Sequence, residues 1–219
     1  MEAFRVSRPL QDIVDAYPEA RLVKDAVRNG GEAAKIAVAR LWLSEGIPFA
    51  FKNCPGLYES IRTWLGGRLS VDPKEIHITG SARLGQSLSP NKLGKVFGAH
   101  SDLDIFIVSP SLFENMKRDF NAWSYDFESG KIAPSNPRER RFWEDNNQRG
   151  PKLMQRGFLD SKLAPNHESY PLVKNIAQSM WLLKEKLDVT SGAPTIKTAS
   201  VRSYRSWNDY VRQTVLSLA

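Results

Sequence analysis

The chain has 219 residues, 41% of them hydrophobic and 25% charged, and its 31 Lys and Arg against 24 Asp and Glu leave a net charge of +7; such a composition supports a buried core in one domain spanning 1–219 and excludes a disordered chain. No apolar run approaches the roughly 18 residues of a membrane span, and Met1-Glu2-Ala3-Phe4-Arg5 lacks a basic-then-apolar leader pattern, so a soluble, cytoplasmic protein is expected. One cysteine, Cys54, and three scattered histidines, His77, His100 and His167, exclude an internal disulfide and a cysteine- or histidine-built metal site, leaving carboxylates to hold any cation.

In chain order, Ala33, Ile36, Ala37, Val38, Leu41 and Trp42 recur near a 3.6-residue period and predict a helix that stops at Gly46-Ile47-Pro48. After the Cys54-Pro55-Gly56 break a second helix is expected with the face Leu57, Ile61, Trp64 and Leu65, closed by Gly66-Gly67. The period then falls to 2. Ile76-His77-Ile78-Thr79 predicts a short strand running into Gly80-Ser81, and Leu103–Val108 a second, strongly β-branched one. Ser109-Pro110-Ser111 with Glu114 signals a helix start, and the helix carries Leu112, Phe113, Met116, Phe120 and Trp123.

The polar stretch from Ser129 to Pro151, with Pro134, Pro137 and the run Arg138-Glu139-Arg140-Arg141, reads as an insertion or surface arm. Beyond it the pattern gives Phe158-Leu159-Asp160, a helix from Leu172 to Lys186, a short Leu187-Asp188-Val189-Thr190 stretch, a Gly192-Ala193-Pro194 turn and a terminal helix from about Tyr204 to Leu218. The whole is an α+β pattern: N-terminal helices in 1–70, a strand-turn-strand core in 71–128, the polar insertion in 129–156, and a C-terminal strand with helices in 157–219.

Chemistry concentrates between Ile76 and Val108. On a strand Asp102 and Asp104 share one face roughly 6–7 Å apart, while Leu103, Ile105 and Ile107 point into the core. Aspartate is a poor strand former, so two of them ahead of Ile105-Phe106-Ile107-Val108 need a reason. Two carboxylates so spaced can grip one hard cation or bridge two. Mg²⁺ suits them because it takes few protein carboxylates and fills its other positions with water and phosphate oxygens. A phosphate-bearing partner follows. Gly80-Ser81, at the end of the preceding strand, lets backbone N–H groups and a hydroxyl approach phosphate oxygens, and Arg83 is placed to add positive charge.

Gly80-Ser81-x-x-x-Gly85, then Ser101-Asp102-x-Asp104 on an apolar strand, resembles the signature of the DNA polymerase β superfamily of nucleotidyltransferases. The resemblance implies a small mixed sheet of the nucleotidyltransferase type flanked by N-terminal, inserted and C-terminal helices. It implies an Mg²⁺-dependent enzyme, with two ions, that moves a nucleoside monophosphate from an NTP such as ATP to a hydroxyl acceptor, with RNA or a protein among the possible acceptors. Gly80 and Ser81 would then hold the β- and γ-phosphates and Asp102 and Asp104 the metals. A third carboxylate on a later strand completes the site in that superfamily. Asp188, flanked by apolar residues after a long helix, is the first candidate and Asp160 its rival, with Asp119 and Asp126 ranked lower because both fall in expected helix. The 21-residue gap from Ser81 to Asp102 leaves an extra loop, Leu88–Gly98, that could cover the nucleotide with Lys92 or Lys95 touching phosphate.

Two other classes compete. A catalytically reduced relative could use the same pocket to bind a nucleotide, as a regulatory part of a toxin-antitoxin or antiviral defence pair. A basic nucleic-acid-binding module could use Arg138–Arg141 with Arg149, Lys152 and Arg156, although Glu139, Glu144 and Asp145 interrupt them and equally suit a solvated helix face. Trp123, Trp143, Trp181 and Trp207 invite base stacking, yet aromatic residues at helical spacing usually form core. His100 could contact a base or phosphate or simply be solvated, and Cys54 reads as a small buried apolar group.

Overall fold

The structure is a computed structural model that describes residues 3–218. Four strands, β1 (Ile76–Thr79), β2 (Leu103–Val108), β3 (Phe158–Asp160) and β4 (Ala199–Tyr204), form one mixed sheet in the order β1-β2-β4-β3. β1 runs antiparallel to β2 with Thr79 opposite Asp104. The central pair, β2 and β4, is parallel from Leu103↔Ala199 to Val108↔Tyr204, and β3 closes the far edge antiparallel to β4. Parallel neighbours need a long crossover. Here it contains α4 (Pro110–Glu128), α5 (Pro137–Gln155) and α6 (Pro171–Val189).

Strand alternation divides the sheet into two unlike faces. Ile76, Ile78, Leu103, Ile105, Ile107, Leu159 and Val201 are buried with Leu65 of α2 (Pro55–Leu69), Phe113 and Trp123 of α4, and Ile176 and Leu183 of α6. The opposite face carries Phe106 and Tyr204, which pack with Tyr210 of α7 (Trp207–Ser217). The Phe106 and Tyr210 rings stack at 4.1 Å. This aromatic cover does not extend to Asp102 and Asp104, whose carboxylates stay exposed on that same face.

Several elements differ from the sequence expectations. The first helix, α1, runs Ala20–Ala37 and begins well before Ala33; it bends at Gly31 (φ 57°) and passes into one π turn at Val38–Trp42. Its earlier half buries Ala20, Val23, Ala26 and Val27. α2 continues through Gly66-Gly67 and ends at Ser70, the residue that takes the left-handed conformation (φ 56°). Gly66 is needed for space, since a Cβ there would meet the Val71 carbonyl oxygen at 2.8 Å. The expected polar arm is largely the 19-residue α5, whose start is capped by the Asn136 side chain accepting from the Glu139 N–H. It buries Trp143, Asn146 and Gly150, spaced three and four residues apart on one face. The C-terminal region holds a strand, β4, that was not anticipated, and α7 starts only at Trp207 under a Ser206 cap. Among the described residues no helix is long and apolar enough to cross a membrane.

Two carboxylates ranked low as ligands have packing roles. Asp119 on α4 is buried, and its Oδ2 accepts from the N–H groups of Leu172 (2.8 Å) and Val173 (3.1 Å), satisfying two donors in the first turn of α6. Asp126 accepts from the Tyr170 hydroxyl at 3.1 Å and pairs with Lys131 at 3.0 Å. Replacing Asp119 by Ala strands two helix-end donors at a buried junction, so Asp119→Ala should lower unfolding free energy by about 1–3 kcal/mol in urea titrations. A variant within a few tenths of wild type would deny it that role.

His77 shares the Phe106 face, stacked on that ring at 5.0 Å with Trp207 edge-on at 5.0 Å. Burial, and secondarily the Arg62 charge, push its pKa down to about 4. An unfolded histidine takes up a proton near pH 6.5, so between about pH 6.5 and 4 the unfolded chain binds a proton that the folded one refuses. Stability associated with this position is therefore full above pH 6.5 and falls as pH drops toward 4, by about 3 kcal/mol in total. Denaturation of wild type and His77→Phe at pH 7.5 and pH 4.5 should show the variant losing less stability; equal losses would contradict the assignment.

Candidate functional site

The end of β1 and the start of β2 bring the expected turn and acids together. Because Thr79 pairs with Asp104, the chain leaving β1 at Gly80 must turn beside the Asp104 carboxylate. Gly80 does so with φ 68°, and a Cβ on it would sit 3.3 Å from Asp104 Oδ2. The position therefore calls for glycine both for its dihedral and for its proximity to an anion. Gly80 and Ser81 open the short helix α3 (Gly80–Leu84), which ends at Gly85 in a left-handed conformation against the Phe49 ring.

Asp102 and Asp104 are oriented by the neighbouring strand. The Thr198 hydroxyl donates to Asp102 Oδ1 and the Ser200 hydroxyl to Asp104 Oδ1, each at 2.9 Å. The parallel register that sets Ser200 opposite Asp104 makes these two pairs equivalent, one residue pair apart along the face. Hydroxyl donors stabilise ionised carboxylates and restrict their rotamers while leaving further lone pairs for a cation. Two such carboxylates fit Mg²⁺, whose remaining positions go to water and phosphate oxygens.

Both acids and the turn line a cavity of about 520 Å³ that also takes in Lys92, Lys95, His100, Arg202 and the Gln213-Thr214 end of α7. Its roof is the loop after α3, closed as a narrow hairpin by the bridge between Gln86 and Val96 and by the Ser87 N–H donating to the Lys95 carbonyl at 2.9 Å. The Gln86 side chain accepts from the Ala20 N–H, tying the loop to the start of α1. Lys92 and Lys95 thus hang from an anchored strap beside the acids. A larger cavity of about 870 Å³ lies around Tyr58, His77 and Trp207, past the aromatic cover, and includes neither the turn nor the acid pair.

Two expected members lie elsewhere. Arg83 is buried, with its guanidinium donating to the Glu45 and Ile47 carbonyl oxygens and lying 5.9 Å from the Tyr17 ring centre. It clamps the 45–47 loop to α3 and does not line the cavity; burial pulls its pKa down. Asp188 falls in the last turn of α6, paired with Lys184. The helix α6 packs on the sheet face opposite the carboxylates, so Asp188 is not brought to Asp102 and Asp104.

Asp160 comes nearer, on the edge strand β3, but it pairs with Arg202 at 3.6 Å. Its partner Arg202 stands opposite Phe106, so two strand spacings and a two-residue offset along the strand separate Asp160 from Asp104, roughly 12 Å. On the strand beside the acids the corresponding positions are Thr198, Ser200 and Arg202, and among the described residues no cluster of three or more His, Cys, Asp or Glu converges. These β4 residues were missed in the sequence because Ala199-Ser200-Val201-Arg202-Ser203-Tyr204 alternates with only one strongly apolar aliphatic residue. That alternation was the available signal.

The basic run of α5 is exposed along Arg138, Arg140 and Arg141, with Arg149 paired to Asp145 at 3.5 Å. Trp123 and Trp143 are core, whereas Trp181 and Trp207 are exposed. Compared with known proteins, the chain matches no family model, no curated protein and no solved structure.

Proposed function

We propose that this chain is an Mg²⁺-dependent nucleotidyltransferase of the polymerase β type. One observation carries the reading: Gly80 turns with positive φ directly against Asp104, within a cavity that also holds Asp102, Ser81 and two lysines. Asp102 and Asp104 would hold Mg²⁺, which when bound neutralises phosphate charge and lowers the pKa of an attacking hydroxyl. Ser81, Lys92 and Lys95 bind and orient the triphosphate, and Thr198 and Ser200 keep the carboxylates aimed. The acceptor oxygen forms a bond to the α-phosphorus while the bond to the bridging oxygen breaks, pyrophosphate leaves, and the hydroxyl proton passes to water.

The test is transfer of label from α-³²P NTPs in Mg²⁺ to RNA, protein and small hydroxyl acceptors. Wild type should label at least one acceptor, and the paired variant Asp102→Asn, Asp104→Asn none. A second reading has its own observation: the strand next to the acids supplies Ser200 and Arg202 where a third carboxylate would serve transfer. It describes a nucleotide-binding regulatory protein. Tight Mg²⁺-dependent NTP binding with no labelled acceptor would favour it over the enzyme.

A further inference from the structure

We infer that the acid pair takes a single divalent ion, on its Gly80 side, and that Thr198 and Ser200 are the residues that keep a second ion out; the inference rests on the nucleotide reading above. Two-metal centres for phosphoryl chemistry hold their ions about 3.5–4 Å apart. Carboxylates shared by both ions must therefore offer oxygens on two sides. Asp104 offers Oδ2 toward the turn, 3.3 Å from where a Cβ on Gly80 would stand. Oδ1 of each acid instead meets the next strand, where the Thr198 hydroxyl donates to Asp102 and the Ser200 hydroxyl to Asp104, each at 2.9 Å. Each hydroxyl takes a lone pair on that side and points its hydrogen at the acid, so an incoming cation meets a donor where it needs an acceptor.

Charge on the β4 flank works the same way. The next position along that face after Ser200 is Arg202, which lines the cavity and adds a full positive charge. Asp160, beyond it on β3, stands roughly 12 Å from Asp104 and is engaged by Arg202 at 3.6 Å. Among the described residues that line the cavity, Asp102 and Asp104 are the only acids. One Mg²⁺ matches the charge of two carboxylates and needs no further protein anion, since water and phosphate oxygens complete its octahedron. A second ion would double the positive charge against the same two anions, on the flank that already carries a guanidinium.

The experiment is equilibrium dialysis with Mn²⁺ and the α,β-methylene analogues of ATP, GTP, CTP and UTP, counting manganese and nucleotide retained at saturation by wild type, Ser200→Asp, Thr198→Asp and the neutral control Ser200→Asn, each checked for a cooperative Tm. Wild type should retain about one Mn²⁺ per bound nucleotide. Ser200→Asp or Thr198→Asp should raise the count to about two, because a carboxylate then replaces the donor facing the acids, and Ser200→Asn should leave it at about one. Two ions per nucleotide in wild type, both lost in the paired variant Asp102→Asn, Asp104→Asn, overturn the inference and leave the nucleotide site standing. A count that stays at one in both folded aspartate variants overturns the role given to Thr198 and Ser200. Retention of neither manganese nor nucleotide by wild type removes the nucleotide reading as well.

Discussion

The paired substitution Asp102→Asn, Asp104→Asn is expected to weaken Mg²⁺-dependent NTP binding by about 100-fold or more, measured by titration in Mg²⁺ against EDTA. It removes two charges and almost no volume. Both side chains are exposed, so the fold should survive, and the substitution relieves repulsion between like charges held on one strand face roughly 6–7 Å apart. In water that repulsion is worth about 0.6 kcal/mol, and Tm should stay constant or rise slightly. A loss of binding with no loss of stability is the mark of residues retained for a ligand. Unchanged binding in a folded double variant would remove the acid pair from the site.

Trp123→Ala should have the largest effect on stability, about 3–5 kcal/mol by urea unfolding. The side chain is fully buried and lies among Phe120, Phe127 and Trp143, with ring centres 5.3–5.9 Å away. These contacts join α4 to α5, and the same junction presses Gly150 against the Phe120 ring, where a Cβ would lie 2.0 Å from Cζ. The Trp123 Nε1 is buried with no hydrogen-bond partner, so Trp123→Phe should lose much less than the alanine variant. Trp181→Ala, on an exposed helix face, should fall within about 0.5 kcal/mol of wild type. Similar losses at Trp123 and Trp181 would contradict the division between core and surface aromatics.

What the sequence revealed about this molecule followed from short-range physics. β1 and β2 emerge at their observed bounds because their apolar alternation is strong, and the Gly80 turn and the shared face of Asp102 and Asp104 follow from strand geometry alone. The start of α4 at Pro110 was marked by the proline and the serine before it. Long-range partners were not legible. Asp188 has suitable apolar neighbours in sequence, but α6 extends to Val189 and packs on the wrong face of the sheet. Arg83 lies two residues from Ser81, yet α3 rotates its side chain away from the cavity toward the carbonyls of Glu45 and Ile47. Gly66-Gly67 resembled a helix stop, whereas Gly66 serves the close approach of Val71. The strand that orients both acids, β4, is polar at alternate positions because one face borders the open cavity, which hid it from hydrophobic patterning.

Replacing Mg²⁺ by Mn²⁺ and locating the ion by anomalous diffraction from crystals soaked with a non-hydrolysable NTP tests the central claim most directly. Manganese density should lie about 2.0–2.3 Å from carboxylate oxygens of both Asp102 and Asp104, with nucleotide phosphate completing its shell on the Gly80-Ser81 side. Manganese and nucleotide bound together at another place on the protein, with both carboxylates free, would contradict it.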